Sequence, residues 1–188
     1  SLYTQNSLAD NTINWLTVPY PPVYLADGKG CGDIVLKYFT EHLPEYGHHS
    51  RQVPLVRVGH EFSDERLTCA PHLAGNADRY GNQVVSTVAP AYLMPPSGIV
   101  IRKEDARLFN NGDPILLKEL LKNDKLRCGF PRGGIIGITI PVLVRENDKN
   151  VDWINETEPD KFFQLLLADP KRIDYFPLHA FSFKYYEK

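Results

Sequence analysis

A chain of 188 residues that is 43% hydrophobic and 23% charged is long enough to bury a core, as one domain or as two small lobes. Its 21 basic and 23 acidic residues leave a formal charge of −2, which excludes the strong positive field that holds a nucleic-acid backbone or an anionic membrane. No apolar run reaches the roughly 18 residues of a membrane span, and the polar first residues lack the layout of an export signal, which is expected to be either removed or never present.

Residues 13–18, rich in β-branched side chains and closed by Pro19, Pro21 and Pro22, read as a buried strand running into a rigid loop. A GKGCG turn then leads to Asp33, expected to cap a helix with Ile34, Val35, Tyr38, Phe39 and Leu43 on one face and Pro44 as its stop. Residues 53–58 and 84–88 read as further strands, and the polar stretch between them, with Pro71, Gly75 and Asn76, as loops. Residues 89–98, which carry Pro95-Pro96 and Gly98, read as a crossing between lobes, placing lobe one at 1–92, a hinge at 93–98 and lobe two at 99–188. Beyond it come a strand at 99–101, a helix opened by Asp113-Pro114 with Leu116, Leu117, Leu120 and Leu121 in register, and a strand at 126–130. An interrupted helix is expected after Gly134 and a strand at 151–154. A helix follows Thr157 with Phe162, Phe163, Leu166 and Leu167 on one face, and a last strand covers 173–176. Strands alternating with helices on both sides of the crossing predict α/β architecture with mostly parallel sheets, because parallel neighbours require crossovers.

Cys31, Cys69 and Cys128 have neither CxxC spacing nor an even count, so three ordinary thiols, or one disulfide and one free thiol, fit them. His48, His49, His60 and His72 lack metal-ligand spacing and read as solvated; no metal or cofactor is expected. Neither Cys69 with His72, nor Glu61, Glu65 and His72 as acids and bases, has a spacing that singles out catalysis, so no catalytic residue is assigned. Groups that could grip an anion are more informative. Gly133-Gly134 after the strand at 126–130 offers backbone N–H groups at a helix start. Arg79, ahead of the strand at 84–88, can aim its planar fork at a carboxylate. Tyr20, held between prolines at the end of the first strand, puts a ring where α/β sheets place ligands. A turn glycine, a surface arginine and a rim tyrosine are the ordinary alternatives.

Trp15-Leu16-Thr17-Val18-Pro19-Tyr20-Pro21-Pro22-Val23, the glycine-rich turn with Asp33, Leu43-Pro44-Glu45-Tyr46, Asp78-Arg79 and Lys171-Arg172-Ile173-Asp174 together resemble the type II periplasmic solute-binding proteins, in the polar amino-acid receptor branch (extracellular solute-binding protein family 3). The resemblance runs from Asn14 to about Tyr186 and implies a two-lobed fold without the family's C-terminal return to lobe one. It also implies that Tyr20 packs over the ligand and that Arg79, followed by Val85-Ser86, clamps the ligand's carboxylate. Arg132-Gly133-Gly134-Ile135 looks like the family's donor turn without its hydroxyl. His179 precedes Ala180, where the family has the aspartate that receives an α-ammonium. An ammonium buried there without a partner costs roughly several kcal/mol, so the expected ligand is a small anionic or polar molecule rather than a standard α-amino acid. The implied role is non-enzymatic: ligand capture in the periplasm by hinge closure for an ABC-type membrane transporter, with no membrane insertion. An extracytoplasmic sensing domain is the second reading, and a dehydratase or lytic transglycosylase-like enzyme on the same fold is the third.

Overall fold

The computed structural model describes residues 11–62, 67–71, 97–132, 139–155 and 158–187. Strand β1 (Thr12–Thr17) is the centre of a three-stranded sheet, with β2 (Gly47–Gln52) and β3 (Thr68–Cys69) both parallel to it. Ile13 and Trp15 pack on one face, against Leu36, while Leu16 and Val18 pack on the other, against Val53 and Val58. Burial on both faces is why this strand reads as an unbroken apolar run rather than an alternation.

Helix α1 (Cys31–His42) crosses from β1 to β2. Phe39 and Leu43 face inward as expected, but Gly32 and Leu36 complete that face while Ile34 and Tyr38 are 64% and 57% exposed, so the helix is rotated in part from the orientation expected. The cause lies at its start. Asp33 is not the cap but the third helical residue, and its carboxylate accepts the backbone N–H groups of Gly30 and Leu25 at 2.8 and 3.0 Å. Gly32 lets the helix sit on the Tyr24 ring, where an added Cβ would lie 2.7 Å from ring carbons. The helix therefore turns its glycine side inward.

Residues 53–58 are not a strand. The polar segment before them is β2, paired along its whole length with β1, and α2 (Leu55–Glu61) follows. As an edge strand, β2 is held by backbone pairing and leaves most of its side chains to solvent, so it carries no apolar pattern. Thr68–Cys69 is likewise a strand inside a stretch expected as loop. The strand expected at 84–88 and the crossing up to residue 96 lie outside the described residues, whereas Ser97 and Gly98, expected in the crossing, are strand residues paired with His179 and Leu178.

The second sheet has the order β4-β7-β5-β6, from β4 (Ser97–Ile101), β5 (Cys128–Pro131), β6 (Val151–Ile154) and β7 (Tyr175–His179). Strand β5 runs parallel to β6 and β7, and β4 pairs antiparallel with β7. Four helices accompany them: α3 (Leu117–Lys122), α4 (Thr139–Glu146), α5 (Pro159–Leu167) and α6 (Ala180–Tyr186). Asp113-Pro114 opens no helix; an irregular 3-10 segment, Lys103–Gly112, precedes it, and Leu116 just ahead of α3 is 68% exposed. Pro159 instead occupies the first turn of α5, where its missing N–H has no acceptor to lose. Phe162 and Leu166 of that helix are buried and Leu167 is exposed. Two core clusters result, one with Leu120, Leu121, Phe130 and Tyr175, the other with Phe162, Leu166, Ile173 and Phe176. All three cysteines are free, which removes the disulfide alternative; Cys69 and Cys128 are the half-buried and buried thiols expected, whereas Cys31, at the start of α1, is exposed. Among the described residues no helix is long and apolar enough to cross a membrane.

Candidate ligand-binding site

Tyr20 follows β1 on a loop tied down from several directions. Its carbonyl oxygen accepts the N–H groups of Val23 and Tyr24, and the loop meets the start of α1 through Gly32 N–H to the Val23 carbonyl at 2.7 Å and Cys31 N–H to the Pro22 carbonyl at 3.3 Å. Tyr24 is buried beneath. Gly30 and Gly32 of the GKGCG turn thus serve close packing of α1 on this loop, where a Cβ on Gly30 would overlap the backbone of Pro22 and Val23, whereas Gly28 supplies the positive φ of the turn.

From this platform the Tyr20 ring meets the second sheet. Its centroid lies 6.3 Å from the His179 ring and 6.3 Å from the Phe181 ring, edge-on to both, while His179 and Phe181 stack at 5.4 Å. Edge-on and stacked contacts at these separations are attractive, at about 0.5–1.5 kcal/mol per pair beyond burial. His179 is the last residue of β7, 7% exposed, and its Nδ1 is 3.1 Å from the hydroxyl of Ser97 directly across the β4–β7 pair. That register accounts for the Ser97–His179 contact as a cross-strand pair. Nearby, burial first and then Asp160, Tyr185, Glu158 and Tyr20 push the Tyr186 hydroxyl well above its ordinary range, so it stays a neutral donor.

Arg132 follows the last residue of β5, exposed, with its N–H bonded to the Ile154 carbonyl at 2.6 Å. Because β5 and β7 are parallel, Arg132 and His179 belong to the same, C-terminal edge of the sheet. Ala180, at the position where the resemblance places an ammonium-binding aspartate, is the exposed first residue of α6. Arg79, Gly133 and Gly134 lie outside the described residues. Of the six ligand-binding positions inferred from sequence, Tyr20 and His179 are in contact and Arg132 shares the strand edge of His179. Phe181 and Ser97 carry no sequence signal: α6 starts directly on a strand without a cap or stop residue, and Ser97 meets His179 only through antiparallel pairing.

Other candidate groups have structural partners. Glu61 is 8% exposed and bound by Arg57 at 3.2 Å and by Arg51, tying α2 to β2 rather than standing ready as an acid. His48 is not a solvated histidine. The Trp15 indole, which only donates, bonds its Nδ1 at 3.0 Å, so Nε2 carries the proton to the Leu43 carbonyl at 2.9 Å. Glu65 and His72 lie outside the described residues. Among the described residues no three His, Cys, Asp or Glu side chains gather as a metal site.

No protein-family model matches the chain, and no curated protein matches it. Among solved structures, an ancestral arginine-binding protein bound to arginine aligns with a TM-score of 0.58 and 15% identity, over 95% of this chain and 74% of that one. The likeness establishes the fold, the α/β architecture with mostly parallel sheets of a solute-binding protein.

Proposed function

We propose that this chain is a non-enzymatic solute receptor of the periplasm. It captures a small anionic or polar molecule between two lobes, one before the crossing and one from β4 onward, by bending in the crossing that precedes Ser97. Its closed form is presented to an ABC-type membrane transporter. One observation carries this reading: Tyr20, after the central strand of the first sheet, packs against His179 and Phe181 at the C-terminal end of β7. Ligands of open α/β folds bind beyond the carboxyl ends of parallel strands, and here two such ends meet across three rings. Arg79 supplies the guanidinium for the ligand's carboxylate; Arg132 and the backbone N–H groups of Gly133 and Gly134 supply further donors. The fold's likeness to a protein that binds arginine supports a small-molecule ligand. Arginine and other free α-amino acids bind weakly, because Ala180 offers their ammonium no carboxylate.

Native mass spectrometry of the purified protein names the carried-over ligand. With that ligand, Arg79→Ala loses ligand-induced thermal stabilisation while its circular dichroism is unchanged; a retained shift rejects Arg79 as the anchor. Tight calorimetric binding of a free α-amino acid overturns the inference from Ala180.

A further inference from the structure

Three loops lead into the parallel strands of the second sheet, before β5, β6 and β7, and they meet at the edge opposite His179. They enclose a depression of about 290 Å³ lined by five cationic side chains, Lys125, Arg127, Lys149, Lys171 and Arg172, against the two carboxylates of Asp124 and Asp174. In a chain of net charge −2 this is a local concentration of positive charge. Part of it is neutralised internally. Lys171 bridges Asp174 at 2.8 Å and Asp105 at 2.9 Å, and Asp174 also accepts the Arg127 backbone N–H at 2.7 Å. This network fixes the floor. The side chains of Lys125, Lys149 and Arg172 are exposed and have no ion-pair partner among the described residues, and the Arg127 guanidinium reaches only the Arg172 carbonyl, at 3.4 Å. Like charges held around one hollow repel each other until a counter-charge enters.

We infer that this depression is a binding site for a compact multivalent oxyanion of the phosphate class, either free or carried as a lipid headgroup. A phosphate group brings about −1.5 to −2 charges and three acceptor oxygens. Guanidinium forks of Arg127 and Arg172 match pairs of those oxygens, while Lys125 and Lys149 act as point charges. A monocarboxylate offers two oxygens and a single charge to the same four cations. The site lies at the N-terminal ends of the strands whose C-terminal edge carries His179, and it stands independently of the receptor reading.

Calorimetric titration of the full chain with inorganic pyrophosphate, at low and high salt, tests it beside co-sedimentation with phosphatidylglycerol vesicles, phosphatidylcholine vesicles serving as blank. The expected result is salt-sensitive pyrophosphate binding that weakens about tenfold or more in the double variant Lys149→Gln/Arg172→Gln and also weakens in Lys125→Gln. It persists in the charge-matched Lys29→Gln/Lys37→Gln. Vesicle binding with the same variant dependence, without pyrophosphate binding, assigns the headgroup as the source. Binding of neither probe, or equal binding by all variants, overturns the inference.

Discussion

Burial of the Cys128 side chain in the second sheet pushes its thiol up to about 12 from an ordinary 9.0, with the Tyr175 hydroxyl drawing it slightly back. The folded value lies above the unfolded one, so the contribution to stability is complete below about pH 9 and is lost as pH rises towards about 12. Lys171, raised by its bonds to Asp105 and Asp174, acts in the same direction. Denaturant unfolding measured across that window is expected to show falling stability, less steeply in Cys128→Ala; a flat profile would refute the buried thiol. Glycines offer a second residue-scale contrast. Gly32→Ala drives a Cβ into the Tyr24 ring and is expected to cost about 1–3 kcal/mol. Gly59→Ala, in α2 with open space around it, is expected to stabilise by about 0.4–1 kcal/mol. Equal effects in thermal melts would contradict the close approach of α1 to its loop.

Among elements, α1 shows why a helix can be recognised while its orientation is missed. Phe39 and Leu43 sit within the apolar stripe, which Ile34 and Tyr38 extend to one side and Leu36 to the other; periodicity cannot choose between the sides, but contact with Tyr24 and Trp15 does. Leu36→Ala is accordingly expected to cost about 2–5 kcal/mol, and Ile34→Ala to fall within about 0.5 kcal/mol, by chemical denaturation. The reverse order would restore the face expected from sequence. Strands with apolar side chains on a buried face were legible: β1, β6 and, within two or three residues, β4, β5 and β7. The polar edge strand β2 was not, because its pairing groups are backbone atoms that every residue shares. Helix α6 escaped because its Ala-Phe-Ser-Phe start follows directly on a strand with no stop or cap residue between them.

At the scale of the molecule, the candidate site was legible only where one residue carries both its chemistry and its place in the chain. Tyr20 is fixed by flanking prolines, whereas its meeting with His179 joins residues about 160 apart in sequence, a fact no local pattern encodes. Tyr20→Ala is expected to weaken binding of the carried-over ligand about tenfold, and Tyr20→Phe to keep most of it, since Phe retains the ring that meets His179 and Phe181. Calorimetry showing the two variants equally impaired would move the role to the hydroxyl. The pairing of β4 with β7 has a consequence for biosynthesis. Strand β7 separates β4 from β5, so a nascent chain that has delivered residues 97–154 holds three strands with their central neighbour still inside the ribosome. The described strands β1 to β3 have by then emerged and can pair, while the second sheet waits for β7 to be inserted between strands already made, which makes the half-built state the one most in need of chaperone cover.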